Sequence, residues 1–367
     1  MIKRKVFKVI GLMSGTSMDG IDVSVVDTDG RHFFKSVSDL TIPYSDEFRV
    51  SLRKILGGSG PIQIVSDDLT FQHAEAVKEI LNRNKLSVSD VDIIGFHGHT
   101  ILHKPEKEIT WQIGDGKKLA KLTSINVVAD FRSDDVAEGG EGAPLTPLFH
   151  TLIAPQERPL CVLNLGGVSN ITWVGRSADV DSDNLFENLL AFDSGPGNAL
   201  INDWVETHYK QPFDYDGAIA SEGAINKDIV KELMKNDYFD RLPPKSLDRQ
   251  QFNVSILKQL SPADGAATLS AFTAQSIKRA VSFLPEPPKL WVVVGGGRHN
   301  HFLMSLISDY LDSPVIKSEV IGLNGDYIES QAFAYLAVRS LKRLPISGPS
   351  TTGVSTPLTG GHYFQFT

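Results

Sequence analysis

The chain is short of cysteine, of positive charge and of long apolar runs, and each shortage narrows what it can be. Cys161 is the only cysteine among 367 residues. An intrachain disulfide is excluded, and so is a zinc site built on two or four thiolates of this chain. Cys161 stands in the apolar run Leu160-Cys161-Val162-Leu163 and reads as a buried core thiol. Lysine and arginine total 36 against 44 acidic residues, a net charge of −8 at pH 7. No broad positive field exists to release counterions from a phosphate backbone, so nucleic acid is not expected as a partner. No stretch approaches the ~20 apolar residues of a membrane-crossing helix. The opening MIKRKVFKVIGLM pairs basic residues with a short apolar run, but Lys8 interrupts that run and no cleavage site follows. It reads as a first strand, in a cytoplasmic protein with no membrane partner.

What is present is enough apolar material, 41% of residues, for a sizeable core in two domains or one large one. Apolar strands alternate with helically spaced segments, which describes an α/β protein. Lys5–Met13, Val91–Phe96, Ile109–Ile113, Ser124–Val128, Leu160–Leu165 and Leu290–Val294 read as strands. Helical spacing covers 45–57, 66–86, 221–236, 266–284, a stretch near 300–311, and 329–342. No internal sequence repeat stands out. Glycine clusters directly follow apolar strands at 14–20, 166–167, 194–197 and 295–297. Backbone amides at such turns are free to face an anion, and glycine permits close approach.

The segment Gly11-Leu12-Met13-Ser14-Gly15-Thr16-Ser17-Met18-Asp19-Gly20-Ile21-Asp22 crowds hydroxyls, glycines and two carboxylates onto one hairpin tip. Amides and hydroxyls suit phosphate oxygens, and the carboxylates suit Mg2+ through water. It is neither a Walker A loop nor a dinucleotide-binding fingerprint. Asn164-Leu165-Gly166-Gly167 offers a second phosphate turn, and Val294-Gly295-Gly296-Gly297-Arg298 suits the ribose or purine of a nucleotide. Asp193, between a buried strand and a glycine turn, is placed like a general base; capping of the following helix is the alternative. His97 and His99 would project to one side of a continuing strand, as metal ligands or as sugar-binding groups. Asp130 and Arg132 follow a strand and suit a polar or anionic substrate group, or form a surface ion pair. Glu329 opens a helix, where it complements the dipole.

GLMSGTSMDGID, FHGHT, WQIGDG, ADFR, GEGAPL, LNLGGVSN, FDSGPGN, GGGRHN and ESQAFAYLA run in order from residue 11 to about 340. Together they resemble the anhydro-N-acetylmuramic acid kinase family, within the sugar kinase, actin and Hsp70 class of ATP-binding folds. The resemblance implies a two-lobed, ribonuclease H-like α/β fold with a nucleotide cleft between the lobes. Residues 1–134 plus about 343–367 would form the first lobe, and 135–342 the second. It also implies an ATP- and Mg2+-dependent phosphotransferase of cell-wall recycling. Such an enzyme opens 1,6-anhydro-N-acetylmuramic acid with water and phosphorylates O6, giving N-acetylmuramic acid 6-phosphate. By the same resemblance Asp193 is the general base. Gly15, Thr16, Ser17, Met18, Asp19, Gly20, Ile21 and Asp22 hold the polyphosphate, and Gly166, Gly167, Gly295, Gly296 and Gly297 complete the nucleotide site. His99, Thr100, Arg132 and Glu329 line the sugar side. Many sugar kinases carry Asp where Met13 stands here, which leaves Asp19 or Asp22 to support the metal. Family members often have Gln where His99 stands; a histidine there would bring a pH dependence near ~6.5. The family also implies a homodimer. An actin-like nucleotide-binding protein without sugar chemistry is the rival reading, and a nicotinamide-dependent oxidoreductase a more distant one.

Overall fold

The computed structural model describes residues 5–15, 17–155, 157–247 and 251–367. The chain divides into two compact units. The first comprises the residues up to Ile153, with Asp179–Phe186 and Tyr327–Thr367; the second comprises Ala154–Ala178 and Glu187–Asp326. Residues 135–153, 179–186 and 327–342, placed in the second lobe by the sequence division, thus fold with the first unit. The reason is packing. The helix Ile328–Leu341 is buried nearly all round and lies on the central strands of the first sheet.

That sheet contains β1 (Phe7–Ser14), β2 (Gly20–Thr28), β3 (Phe34–Pro43), β4 (Ile93–Lys104), β5 (Ile109–Ile113) and β6 (Val127–Ala129). The second sheet holds β7 (Leu160–Leu165), β8 (Val168–Val174), β9 (Leu189–Pro196), β10 (Trp291–Val294) and β11 (Val315–Lys317). A last strand, β12 (His362–Phe364), returns to the first sheet beside β6. The first sheet runs β12-β6-β4-β1-β2-β3, with β5 paired to β4. The strands β1, β2 and β3 form an antiparallel meander, while β4 and β6 continue it in parallel. Central strands of this kind are buried on both faces, as β1 is at all positions but Lys8 and β4 is from Ile93 to His99.

Two glycines set the helix Ile328–Leu341 against the sheet. A Cβ at Gly11 would lie 1.8 Å from the Ser330 carbonyl oxygen, and one at Gly95 2.2 Å from that of Phe333. The flanking residues Ile94 and Phe96 point the other way, into a core shared with Val65, Leu69, Val77 and Ile80 of the helix Ile62–Arg83.

The second sheet repeats the order of the first: β11-β10-β7-β8-β9. It too is an antiparallel meander followed by two parallel strands. Each sheet therefore has the ribonuclease H-like strand order, although the sequence shows no repeat. The helix Pro262–Ala280 fills the core of the second unit. It starts earlier than its apolar spacing indicates, because Ser261 caps Asp264 N–H at 3.1 Å and Pro262 occupies the first helical position. Cys161 is fully buried in β7, and burial holds its thiol well above the usual range.

Candidate functional site

In the first unit, the turn between β1 and β2 is built by its neighbours as much as by its own residues. The Met18 N–H donates to the Gly15 carbonyl at 3.1 Å, and the Tyr44 N–H to the Asp19 carbonyl at 3.0 Å. A Cβ at Gly20 would stand 2.4 Å from the Ile42 carbonyl oxygen, so pairing with β3 requires glycine there. Met18 and Ile21 are buried in the core, so only their main chain is available to a ligand. Ser17 and Asp19 are exposed, and Ser17 Oγ donates to Asp19 Oδ1 at 2.7 Å. Asp22 is half-buried on β2 and accepts from Thr41 Oγ1 at 2.6 Å. Thr16 lies outside the described residues. These hard oxygen donors suit a magnesium ion, which takes one or two carboxylates and fills its remaining positions with water and phosphate. Among the described residues no group of three or more His, Cys, Asp or Glu side chains gathers as for a metal held by protein alone.

The paired-histidine reading of FHGHT is overturned. The β1–β4 register shifts between Leu12 and Ser14, with Gly98 at φ +76° as the extra residue. The bulge breaks the alternation, and the two rings part. His97 packs on Phe333 and its Nε2 accepts from Arg132 Nε at 3.1 Å. His99 is fully buried beside Ser14, with Nδ1 and Oγ 3.0 Å apart. Burial brings its pKa down to about 4, so no transition near 6.5 follows from it.

Thr100 and Arg132 are half-buried. Thr100 accepts from Gln112 Nε2 at 3.1 Å, and Arg132 Nη1 donates to the Gly142 carbonyl at 2.6 Å. Neither lines the polar pocket of about 400 Å³ in this unit, but their partners Gln112 and His97 do, with Gly98, Asp115, Asp130 and Ser133 among others. FHGHT, WQIGDG and ADFR, far apart in the chain, thus contribute to one cavity. Glu329 is half-buried in the first turn of the helix Ile328–Leu341.

In the second unit three glycine clusters converge. The Gly166 and Gly167 carbonyls accept from the Asn198 and Gly197 N–H groups at 2.8 and 3.0 Å. A Cβ at Gly197 would stand 2.2 Å from the Gly166 oxygen, and one at Gly295 2.4 Å from Asn164 Oδ1. Gly296 is exposed, with nothing within 4 Å of an added Cβ. Arg298 anchors this turn. Its side chain is 1% exposed, and it pairs with Glu319 and Asp326 at 2.6 Å each.

Asp193 sits inside β9 and is not a helix cap; Asn198 precedes the helix Ala199–Tyr209. It is buried, and its Oδ2 accepts from the Leu247 N–H at 2.8 Å. Its N–H donates to the Lys245 carbonyl at 3.0 Å, and Tyr238 Oη donates to its carbonyl at 2.5 Å. Main chain on both sides thus fixes the carboxylate. Lys245 is buried under the rings of Tyr238 and Phe283, each 4.6 Å from Nζ, and burial brings its pKa down to about 8. No sequence signal marks Lys245, Tyr238 or Tyr44. A lysine after two prolines and a lone tyrosine look like surface residues until the fold buries them.

The model of the family described as anhydro-N-acetylmuramic acid kinase matches residues 7–365. A protein of that name from Paramagnetospirillum magneticum is 47% identical over 358 residues, covering 96% of this chain and 98% of its own. Another, from Zymomonas mobilis, is 46% identical over 369 residues, covering 96% and 99%. Component A of the Acidaminococcus fermentans (R)-2-hydroxyglutaryl-CoA dehydratase shares the fold, with a TM-score of 0.50 at 10% identity over 92% of this chain and 99% of that one.

Proposed function

Since the chain belongs to the anhydro-N-acetylmuramic acid kinase family, we propose that Asp193 is the general base of its reaction. The enzyme is an ATP-dependent phosphotransferase of cell-wall recycling. It converts 1,6-anhydro-N-acetylmuramic acid to N-acetylmuramic acid 6-phosphate. One observation carries the assignment. Asp193 is a buried carboxylate whose Oδ2 is tied to the Leu247 N–H, on a strand clamped by Lys245 and Tyr238. A fixed, desolvated carboxylate is suited to taking a proton.

Asp193 takes a proton from water as the water oxygen bonds to the anomeric carbon. The C1–O6 bond breaks, and O6 keeps the electron pair. That oxygen bonds to the γ-phosphorus, and ADP leaves. The main-chain amides of Gly15, Ser17 and Gly20 bind the polyphosphate, on a turn held by the Met18 N–H to Gly15 carbonyl bond. Asp19 and Asp22 would hold Mg2+, which would spread the charge of the phosphates. Gly166, Gly167 and Gly295 to Gly297 bind the nucleotide by close main-chain approach. Thr100, Arg132 and Glu329 bind the sugar. The lactyl carboxylate is the anionic group of that sugar, and we assign it to the Arg132 guanidinium. Support comes from the hydrogen bond that joins Arg132 to His97, a residue of the polar pocket whose volume of about 400 Å³ suits an amino sugar.

No described helix is long and apolar enough to cross a membrane. Use of ATP places the enzyme in the cytoplasm, and the family suggests a homodimer, which light scattering would test. The reaction itself is tested in oxygen-18 water by mass spectrometry of the product. One heavy oxygen at the anomeric carbon is expected from the wild type. Product without heavy oxygen, or equal turnover by Asp193→Asn, would overturn the assignment.

A further inference from the structure

The motif GEGAPL, residues 140–145, lines no part of the polar pocket, yet its main chain is drawn onto two buried side chains. Asp135, on the helix Ser133–Ala137, is 2% exposed, and Thr352, in the C-terminal tail, is fully buried. Thr352 Oγ1 donates to Asp135 Oδ2 at 2.6 Å. The pair takes up three successive amides of the loop. The Gly140 N–H donates to the Asp135 carbonyl at 2.8 Å, and the Glu141 N–H to the Thr352 carbonyl at 2.6 Å. The Gly142 N–H donates to Asp135 Oδ1 at 2.7 Å. Both oxygens of this buried carboxylate therefore have hydrogen-bond donors in place of water, as burial of a carboxylate requires. Glycine lets the loop wrap so closely. A Cβ at Gly140 would lie 2.2 Å from Asp135 Oδ1 and 2.6 Å from Val354 Cγ1, and Gly142 has φ +65°.

The loop ends on Arg132. Gly142 is held by its N–H and holds by its carbonyl, which accepts from Arg132 Nη1 at 2.6 Å. On the other edge His97 Nε2 accepts from Arg132 Nε at 3.1 Å. Two of the three guanidinium nitrogens are thus directed by neighbours, which sets the plane of the group. Paired recognition of a carboxylate depends on that plane, and an arginine whose plane is already set loses less freedom on binding.

We propose that Asp135 and Thr352 are positioning residues for the sugar: they lock residues 140–142 so that the Gly142 carbonyl aims the Arg132 guanidinium at the lactyl carboxylate. Neither touches substrate. The proposal rests on the assignment of that carboxylate to Arg132. It also gives the C-terminal tail a part in sugar recognition, through Thr352.

Kinetics with ATP and 1,6-anhydro-N-acetylmuramic acid test it. Asp135→Ala removes both side-chain acceptors and should raise KM for the sugar about tenfold, with KM for ATP changed less than about twofold. Asp135→Asn accepts from the Gly142 N–H through Oδ1 and donates to Thr352 Oγ1 through Nδ2, so it should stay within about threefold of wild type. Thr352→Val removes one bond and should raise the sugar KM about threefold. Coupling gives the sharpest readout. In an Arg132→Ala background, Asp135→Ala should change the sugar KM by less than about a further twofold, because Asp135 acts through Arg132. A purely structural Asp135 would multiply the two effects. That result, equal rises in KM for ATP and for the sugar, or an asparagine variant as impaired as the alanine one would overturn the proposal. Should Asp135→Ala not fold, Thr352→Val, alone and on Arg132→Ala, carries the same test. The two assignments fail separately. If Arg132→Ala leaves the sugar KM unchanged, Arg132 does not bind the sugar, and the brace has no part in recognition. If Arg132→Ala raises it while folded Asp135→Ala and Thr352→Val do not, only the brace fails.

Discussion

The two units share one strand order but bury different polar groups. In the first, four histidines are buried: His73, His97, His99 and His150. Burial holds all four below their ordinary pKa, to about 4 for His73 and His99 and to about 3 for His150. In the second, His208, His299 and His301 are exposed, and the buried polar side chains include Lys245 under aromatic rings and Arg298 between two carboxylates. Strand order dictates where helices and turns fall. It does not dictate core polarity, which follows from what each turn has to hold. The first unit keeps neutral rings in its interior, one of them, His99, beside Ser14 at the end of β1. The second keeps fixed cations near a carboxylate and a glycine turn.

The largest expected effect falls on the second unit's chemistry. Asp193→Asn should lower kcat by about 10³-fold, within the range for loss of a general base, and leave ATP binding nearly unchanged by calorimetry. More than a tenth of wild-type turnover would remove Asp193 from the reaction.

Acid should then separate the two units. Between pH 6.5 and 4 the unfolded chain binds protons that the folded histidines refuse. Stability is full above about 6.5 and falls as pH drops through that window, by the order of 3 kcal/mol for each of His73 and His99. Hydrogen exchange at pH 7 and pH 4.5, corrected for intrinsic rates, should show the first unit opening while the second keeps its protection. Equal loss in both units would show that the contrast in histidine burial has no thermodynamic consequence.

Steric contacts sharpen the comparison at smaller scale. Gly11→Ala places a methyl 1.8 Å from the Ser330 oxygen, so the helix Ile328–Leu341 must shift. A loss of about 2 kcal/mol in urea unfolding is expected. Gly296→Ala meets nothing within 4 Å and should change stability by less than about 0.5 kcal/mol. If Gly296 belongs to the nucleotide site as proposed, the added methyl should still raise KM for ATP. An unchanged KM would take Gly296 out of the nucleotide site.

Much of this was legible in the residues. The strands β5, β7 and β10 fall where apolar runs end in turn residues, because short buried strands are marked locally. The glycine clusters mark tight turns, since only glycine tolerates the close main-chain approach seen at Gly20 and Gly197. Nine motifs in order suffice for the family. The strands β3 and β8, with polar or mixed runs, carry no such mark. The sequence by itself determined the fold class, the positions of the glycine turns, the catalytic candidate and the chemistry of the substrates. Tertiary structure alone decided the rest. It placed Asp193 within β9, parted His97 from His99 at the Gly98 bulge, and returned the helix Ile328–Leu341 to the first sheet. It also buried Tyr44, His73 and Lys245. Register and burial depend on partners distant in the chain, and no local pattern records which partner a residue will meet.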